Sequence, residues 1–305
     1  MPGTGQTLQR WRALALVAQH DLSLAKLYEG HTDALAIMAE LGAPPQDSSE
    51  GSWGVWAAES PQGRVILDPC GAARVMLDGI KCWCSGAQNA SNALLTAWHR
   101  DGRGPQLVQV PLRQSGVKVI TDNWHAVGMP QSASVDVQFK GAEGAVVGDI
   151  GDYLARPGFW QGGAGVAACW LGGARGLALS LRRATNAANR STSATFRLCA
   201  LGKVDLALEA AAAVMRDGAR WIDAHPADDA GVVALRLRLV AEDAARRVLD
   251  EVGRTLGAAP FCRDARFARA AADLPVFIRQ SHAERDCANL GERLLSLADE
   301  RLWKL

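Results

Sequence analysis

The stretch LDGIKCWCSGAQNA, Leu77–Ala90, decides how this chain is read. It reads as a tight turn, a short strand and a small polar loop, with Trp83 beside the loop. A second stretch, GSWGVWAAESP at Gly51–Pro61, carries two more tryptophans, Trp53 and Trp56. The chain holds ten Trp but two Tyr and six Phe in 305 residues. Indoles gathered near candidate strands either fill a core or cover a flat aromatic ligand. A spacing of three puts Trp53 and Trp56 on opposite faces of one strand, so one faces the core and the other is open to a ligand or an interface.

Outward from these stretches, the segment from Gly51 to Val147 is rich in Val, Thr, Gly and Trp. GVWAAES, RVMLDGIKCWCSG, ALLTAWH, LVQVPL, GVKVIT and SASVDVQF read as strands. Asp78–Gly79 suits a hairpin turn. There is no strand–helix alternation and no GxGxxG loop, which argues against a dinucleotide-binding fold.

On either side the pattern is helical. Before the β-segment, Leu22, Leu24, Leu27, His31, Ala34, Met38 and Leu41 fall near helical spacing, and Gly42 supplies a stop. A first helix is expected around Thr7–Gln19. After it, an Ala-rich region is expected to form helices over 160–188, 198–224, 229–256 and 262–300, the last broken near Asp273–Pro275. Long helices with short joints make an antiparallel bundle. The fold class expected is α+β. It has a short N-terminal helical segment over 1–50, a central antiparallel β-domain over 51–150 and a C-terminal antiparallel helical bundle over 151–305.

Composition narrows the partners. Apolar residues make up 49% and charged residues 21%, with a formal net charge of +1. No strong field points to nucleic acid or an anionic membrane. Seven cysteines at 70, 82, 84, 169, 199, 262 and 287 show no CxxC pair and no Cys/His spacing, so no metal site is expected. The N-terminus lacks secretory signal character. The most apolar run, VAACWLGGARGLALSL, is interrupted by Arg175, so no membrane insertion is expected. The expected setting is the cytoplasm, with free thiols.

Taken in order, these motifs resemble the acyl-CoA dehydrogenase family from about Leu27 onward. Ala58-Glu59-Ser60-Pro61 stands where the family has Thr-Glu-Pro. LDGIKCWCSGA is similar to Asn-Gly-x-Lys-x-Trp-Ile-Thr-Asn, with Lys81, Trp83 and Ser85 at the Lys, Trp and Thr. WHAVGMPQSASVDVQF and LGAAPFCRDARFARAAAD resemble later family segments. The resemblance implies FAD, with its ring stacked on Trp83 and bonded by Ser85. Trp56 and backbone groups at Ala58 would lie along its polar side, with Met129 and Gly257 nearby. It also implies an acyl thioester substrate, carried on CoA or an acyl carrier protein and oxidised at a CH–CH bond, and a homodimer or homotetramer. The family's Gly-Ala-Gly-Ser-Asp loop and its Arg-x-x-Phe-Gly element are both missing here.

The resemblance requires a base for the α-proton. Counting on from Arg263 puts Ala272 at the family's Glu and Asp273 one residue later. Asp273 is therefore the candidate base, or alternatively a cap for the following helix. In RQSHAERD, Arg279–Asp286, the spacing places His282 and Asp286 on one helical face. His282 is the second catalytic candidate, in a proton relay or a phosphate clamp or, alternatively, a surface or subunit salt network. Two other readings stand beside the dehydrogenase: a flavin-dependent monooxygenase or oxidase of the same fold, in which His282 gains weight, and a catalytically silent scaffold.

Overall fold

The computed structural model describes residues 2–43, 51–187, 192–299 and 302–303. The ends of two expected helices, residues 188 and 300, lie outside the described residues. The chain forms two compact units. One comprises Lys26–Ala126 and Pro130–Phe159; the other comprises Met1–Ala25, Val127–Met129 and Trp160–Leu305. N-terminal helices, a central β-domain and a C-terminal helical bundle follow one another as the residue patterns suggest.

Within the first unit seven strands are described. They are β1 Trp53–Trp56, β2 Val65–Pro69, β3 Arg74–Cys84, β4 Asn92–His99, β5 Pro105–Pro111, β6 Val117–Ile120 and β7 Val135–Val147. Pairings run β4–β2, β2–β3, β3–β7, β7–β5 and β5–β4, so these five strands close a ring. β1 adds to β4, and β6 adds to β7. Closure leaves the ring strands no free edge to aggregate through. Most pairings are antiparallel, but β1–β4 and β2–β4 are parallel, so the β-domain is a mixed sheet.

Alternation fills the ring. Trp56, Val65, Leu67, Val75, Leu77, Leu95, Val108, Val137 and Phe139 point inward and are buried. Trp53 lies on the other face of β1, packed with Ile37 and Met38 of α2 (Leu22–Glu40) and with Leu94 and Leu107. The two tryptophans therefore do sit on opposite faces, and both are buried.

Two strand readings are corrected. β2 was not expected, because its Asp68 and Pro69 disguise a five-residue strand. Asp78–Gly79 is not a hairpin: β3 runs straight through it, with a register shift between Leu77 and Asp78. Gly79 sits at φ +126°, and a Cβ there would lie 2.1 Å from the Arg64 carbonyl oxygen. Glycine is needed for close backbone approach at a bulge, not for a turn.

The second unit contains α1 (Thr7–His20), most of α4 (Gly158–Asn186), α5 (Thr192–Ala224) and α6 (Gly231–Leu256). It also contains α7 (Ala258–Arg263), α8 (Ala265–Phe277) and α9 (Glu284–Leu295). A four-residue helix, α3 (Asp152–Ala155), belongs to the first unit. α4 is long and apolar enough to cross a bilayer, and 78% of its apolar window is buried inside the protein, as befits a bundle's core helix. Its Gly172 lets α1 approach: a Cβ there would meet the Ala15 carbonyl oxygen at 2.2 Å.

The helix expected over 262–300 is several pieces. Asp264 caps α8 by accepting the N–H groups of Arg266 and Phe267. Pro275 is accommodated in the last turn, after which the chain tightens into a 3-10 turn at Ile278–Gln280. Ala283 at φ +47° then separates that turn from α9.

Candidate functional site

The site candidate in the β-domain is built at the end of β3. After the shift at Leu77/Asp78 the ladder with β7 is regular from Asp78–Lys140 to Lys81–Val137 and resumes at Cys84–Val135, leaving Trp83 in a bulge. Trp83 adopts φ +63° and its side chain is 56% exposed. A bulky residue at positive φ is strained, and such strain persists only where the surroundings fix it. Here they do. Cys84 is fully buried just after it, and the Ser85 N–H returns to the Trp83 carbonyl at 3.0 Å. The result presents an indole outward on a rigid strand end, so Trp83 is not a core residue.

The loop after it is held from three sides. The buried Trp56 indole N–H donates to the Ser85 carbonyl at 3.0 Å. The Gly86 N–H donates to the Ser132 carbonyl at 2.7 Å. Ser85 Oγ lies 2.7 Å from Ser134 Oγ, which lies 3.3 Å from Ser132 Oγ. A cavity of about 80 Å³, lined in part by Leu27, Gly30, Trp53 and Gly86, sits behind the loop. That volume is far below what a cofactor-sized ligand needs.

Upstream, Lys81 anchors β3. Its ammonium is buried and donates to Glu59 at 3.0 Å, to the Thr96 carbonyl at 3.1 Å and to Thr96 Oγ1 at 2.8 Å. Glu59 also accepts from Thr96 Oγ1 at 2.6 Å and from the Trp98 indole at 2.9 Å. Burial pulls the Lys81 ammonium below its ordinary value against the attraction of Glu59. Burial works to raise the Glu59 carboxyl, but bonds from Thr96 and Trp98 and the Lys81 charge outweigh it and hold the group below its usual value.

The residues singled out from sequence fall in both units. In the β-domain, Trp83 and Ser85 share the strand end, whereas Trp56 is 1% exposed and serves as the loop's internal anchor, not as a ligand face. Ala58 is exposed in the irregular segment after β1. Ser132 and Ser134, which complete the hydroxyl chain, were not foreseen; the Ser-Ala-Ser run before β7 was their only signal.

In the helical unit, Asp273 is 1% exposed inside α8, and its carboxylate accepts the Met129 N–H. It is not the cap of a following helix. Burial raises its carboxyl above the usual range, helped by the charge of Asp21 and opposed by the Met129 bond and Arg269. Met129 is 3% exposed at φ +58°, so Asp273 fixes a left-handed backbone beside it. Gly257, at φ +65°, ends α6 by donating to the Gly253 carbonyl. His282 and Asp286 do not share a helical face, because the break at Ala283 intervenes. Asp286 instead accepts the His282 N–H at 3.1 Å and lies 3.3 Å from its Nδ1, as a side chain closing the start of α9. The His282 side chain is 64% exposed. Arg279 pairs with Glu242 of α6 at 3.0 Å.

No protein-family model and no curated protein matches the sequence. Solved structures do match over nearly the whole chain. TdsC, a dibenzothiophene monooxygenase from Paenibacillus sp. A11-2, superposes in its complex with FMN and indole at a TM-score of 0.82 and 21% identity. The match covers 95% of this chain and 83% of TdsC. KijD3 in complex with FMN and a dTDP-linked amino keto sugar matches at a TM-score of 0.80 and 19% identity, over 96% and 81% of the two chains. A nitrososynthase from Micromonospora carbonacea var. africana matches at 0.77 and 18%, over 96% and 83%. The chain therefore has the acyl-CoA dehydrogenase-like fold.

These likenesses correct three expectations. The flavin held by TdsC and KijD3 is FMN, which displaces FAD. Their other ligands are indole and a nucleotide-linked sugar, which displace the acyl thioester on CoA or a carrier protein. Monooxygenation and nitroso synthesis displace CH–CH oxidation. The chain's own residues agree with the correction. Asp273, the expected base, is committed to a backbone N–H.

Proposed function

We propose that this protein is an FMN-using oxygenase or oxidase that acts on a small organic molecule. The observation that carries the reading is Trp83. It is an exposed indole held at φ +63° with Ser85 two residues further along, on a strand end locked by Trp56 and Lys81. Strain and exposure of a large aromatic are costly, and they concentrate at functional sites. Those groups suit a flavin: the indole offers a face to stack on, and the hydroxyl offers a bond to a ring edge. The likeness to FMN-holding structures supports the same cofactor.

When bound and reduced, FMN supplies two electrons to dioxygen; in an oxygenase one oxygen atom enters the substrate and the other leaves as water. The chain's part is to stack the ring on Trp83, to orient it through Ser85 and to keep both rigid. Asp273 is assigned to holding Met129 rather than to chemistry.

The test begins with titration of FMN and FAD into purified protein, followed by absorbance and quenching of flavin fluorescence. FMN should bind more tightly than FAD, and Trp83→Ala should weaken FMN at least tenfold. The protein is then loaded with dithionite-reduced FMN and exposed to oxygen with indole or a related heteroaromatic. Oxygenated product or peroxide is the expected outcome. Failure to bind FMN, or binding indifferent to Trp83→Ala, would overturn the reading.

A further inference from the structure

The further inference concerns Ser134, and it rests on the flavin-face reading above. Ser134 Oγ lies 2.7 Å from Ser85 Oγ and 3.3 Å from Ser132 Oγ. Ser132 is buried at 1% exposure, and its carbonyl holds the Gly86 N–H, so the far end of the chain of hydroxyls is fixed. Each hydroxyl owns one proton and can also accept. The Ser85–Ser134 bond therefore has two directions. In the first, Ser134 donates to Ser85, and the Ser85 proton is left to turn outward as a donor. In the second, Ser85 donates to Ser134, the Ser134 proton turns to Ser132, and Ser85 offers only lone pairs outward. Moving between the two takes rotation about Cβ–Oγ bonds. No proton passes from one oxygen to another, and no covalent bond changes.

We propose that Ser134 is a positioning residue that lets Ser85 alternate between donor and acceptor toward a ring atom whose own hydrogen-bonding sense reverses on reduction. Flavin N5 is such an atom, presenting a lone pair when oxidised and an N–H after two-electron reduction. A backbone N–H at this point would satisfy only the oxidised form. A hydroxyl with a hydroxyl neighbour satisfies both, because whichever proton turns inward finds an oxygen to receive it. Removing Ser134 does not affect the two forms equally. Toward oxidised flavin, Ser85 still donates outward and loses only a donor to its lone pair. Toward reduced flavin, Ser85 must accept, and its own proton loses its acceptor. An orphaned donor is the costlier fault.

The experiment is anaerobic titration of oxidised FMN and of dithionite-reduced FMN into wild type, Ser134→Ala, Ser134→Thr and Ser85→Ala, with the midpoint potential of bound FMN measured in each. Ser134→Ala should weaken reduced FMN about tenfold more than oxidised FMN, the weight of one lost hydrogen bond. For a two-electron couple that tenfold ratio is a fall of about 30 mV in potential. Ser134→Thr keeps the hydroxyl and should return the ratio to within about twofold of wild type. Equal weakening of both forms in Ser134→Ala would mark a merely structural residue and overturn the proposal, as would an unchanged ratio. If wild type binds no FMN, or Ser85→Ala leaves both affinities unchanged, the flavin-face reading itself falls and takes this inference with it. Sensitivity to Ser85 with indifference to Ser134 sinks the relay alone.

Discussion

The Trp56 indole N–H donates to the Ser85 carbonyl at 3.0 Å, tying the centre of the β-ring to the loop beside the exposed Trp83. One buried indole thus does two jobs: its body fills the ring and its nitrogen fixes the candidate site. Trp56→Phe should retain most of the packing but orphan the carbonyl, costing about 1–3 kcal/mol of stability. Trp56→Ala should cost about 3–5 kcal/mol through the cavity it leaves. Chemical denaturation checks the order. FMN affinity should fall in Trp56→Phe even where the protein is fully folded, because Ser85 is no longer pinned.

Asp273 gives a second prediction, and its sign runs against the common one for a carboxylate. Burial raises its folded-state pKa above the unfolded value. The folded protein therefore binds the proton more readily than the unfolded chain does. This group's contribution to stability is most favourable at acid pH, below the unfolded value, and is lost as pH rises through the raised folded value. Asp273→Asn removes the charge but keeps an oxygen for the Met129 N–H, so stability near pH 7 should be unchanged or higher. Asp273→Ala orphans that N–H and should cost about 1–3 kcal/mol. Thermal melts across pH 4–8 test both. Greater damage from Asn than from Ala would refute the assignment.

Much of the architecture was readable because the composition changes sharply: Val- and Trp-rich strands lie between Ala-rich helices, and SVDVQF and LSLAKLYEG carry clear periods. Ring closure was not readable. It depends on β2, whose Asp68 and Pro69 look like loop, and on parallel pairing to β4 across distant sequence. At the site, Trp83 and Ser85 stood out by residue type and position. The positive φ of Trp83 and the bond to Ser134, 49 residues away, follow from tertiary register that no local pattern encodes. FMN and FAD share one ring system, so ring-facing residues alone could not separate them.

Gly79 offers a test of the corrected strand. A turn glycine tolerates Asn at modest cost, but a Cβ at Gly79 would sit 2.1 Å from the Arg64 carbonyl oxygen while the backbone holds φ +126°. Strain at such a φ and overpacking each cost about 1–3 kcal/mol. Gly79→Ala should therefore lose about 2 kcal/mol or more, and Gly79→Asn should fare no better. A loss below about 0.5 kcal/mol in urea unfolding would show that this close approach does not require glycine.

The Lys81–Glu59 pair is asymmetric, and the asymmetry predicts an order. The Lys81 side chain is 3% exposed whereas that of Glu59 is 42% exposed. Without Glu59, Lys81 has no counter-charge and little access to water. Without Lys81, Glu59 keeps Thr96 and Trp98 and can turn to solvent. Breaking a buried pair costs about 3–5 kcal/mol when the remaining charge is trapped, and an exposed partner is worth about 1 kcal/mol or less. Glu59→Gln should therefore destabilise more than Lys81→Met. The pH dependence follows from the depressed Glu59 carboxyl: its contribution is present above the unfolded value and is lost as pH falls through the folded one. Lys81→Met should shrink that acid-side loss. If Lys81→Met proves the more damaging of the two in denaturant melts at pH 7, solvent access does not govern this pair, and the anchor assigned to β3 must be sought in packing alone.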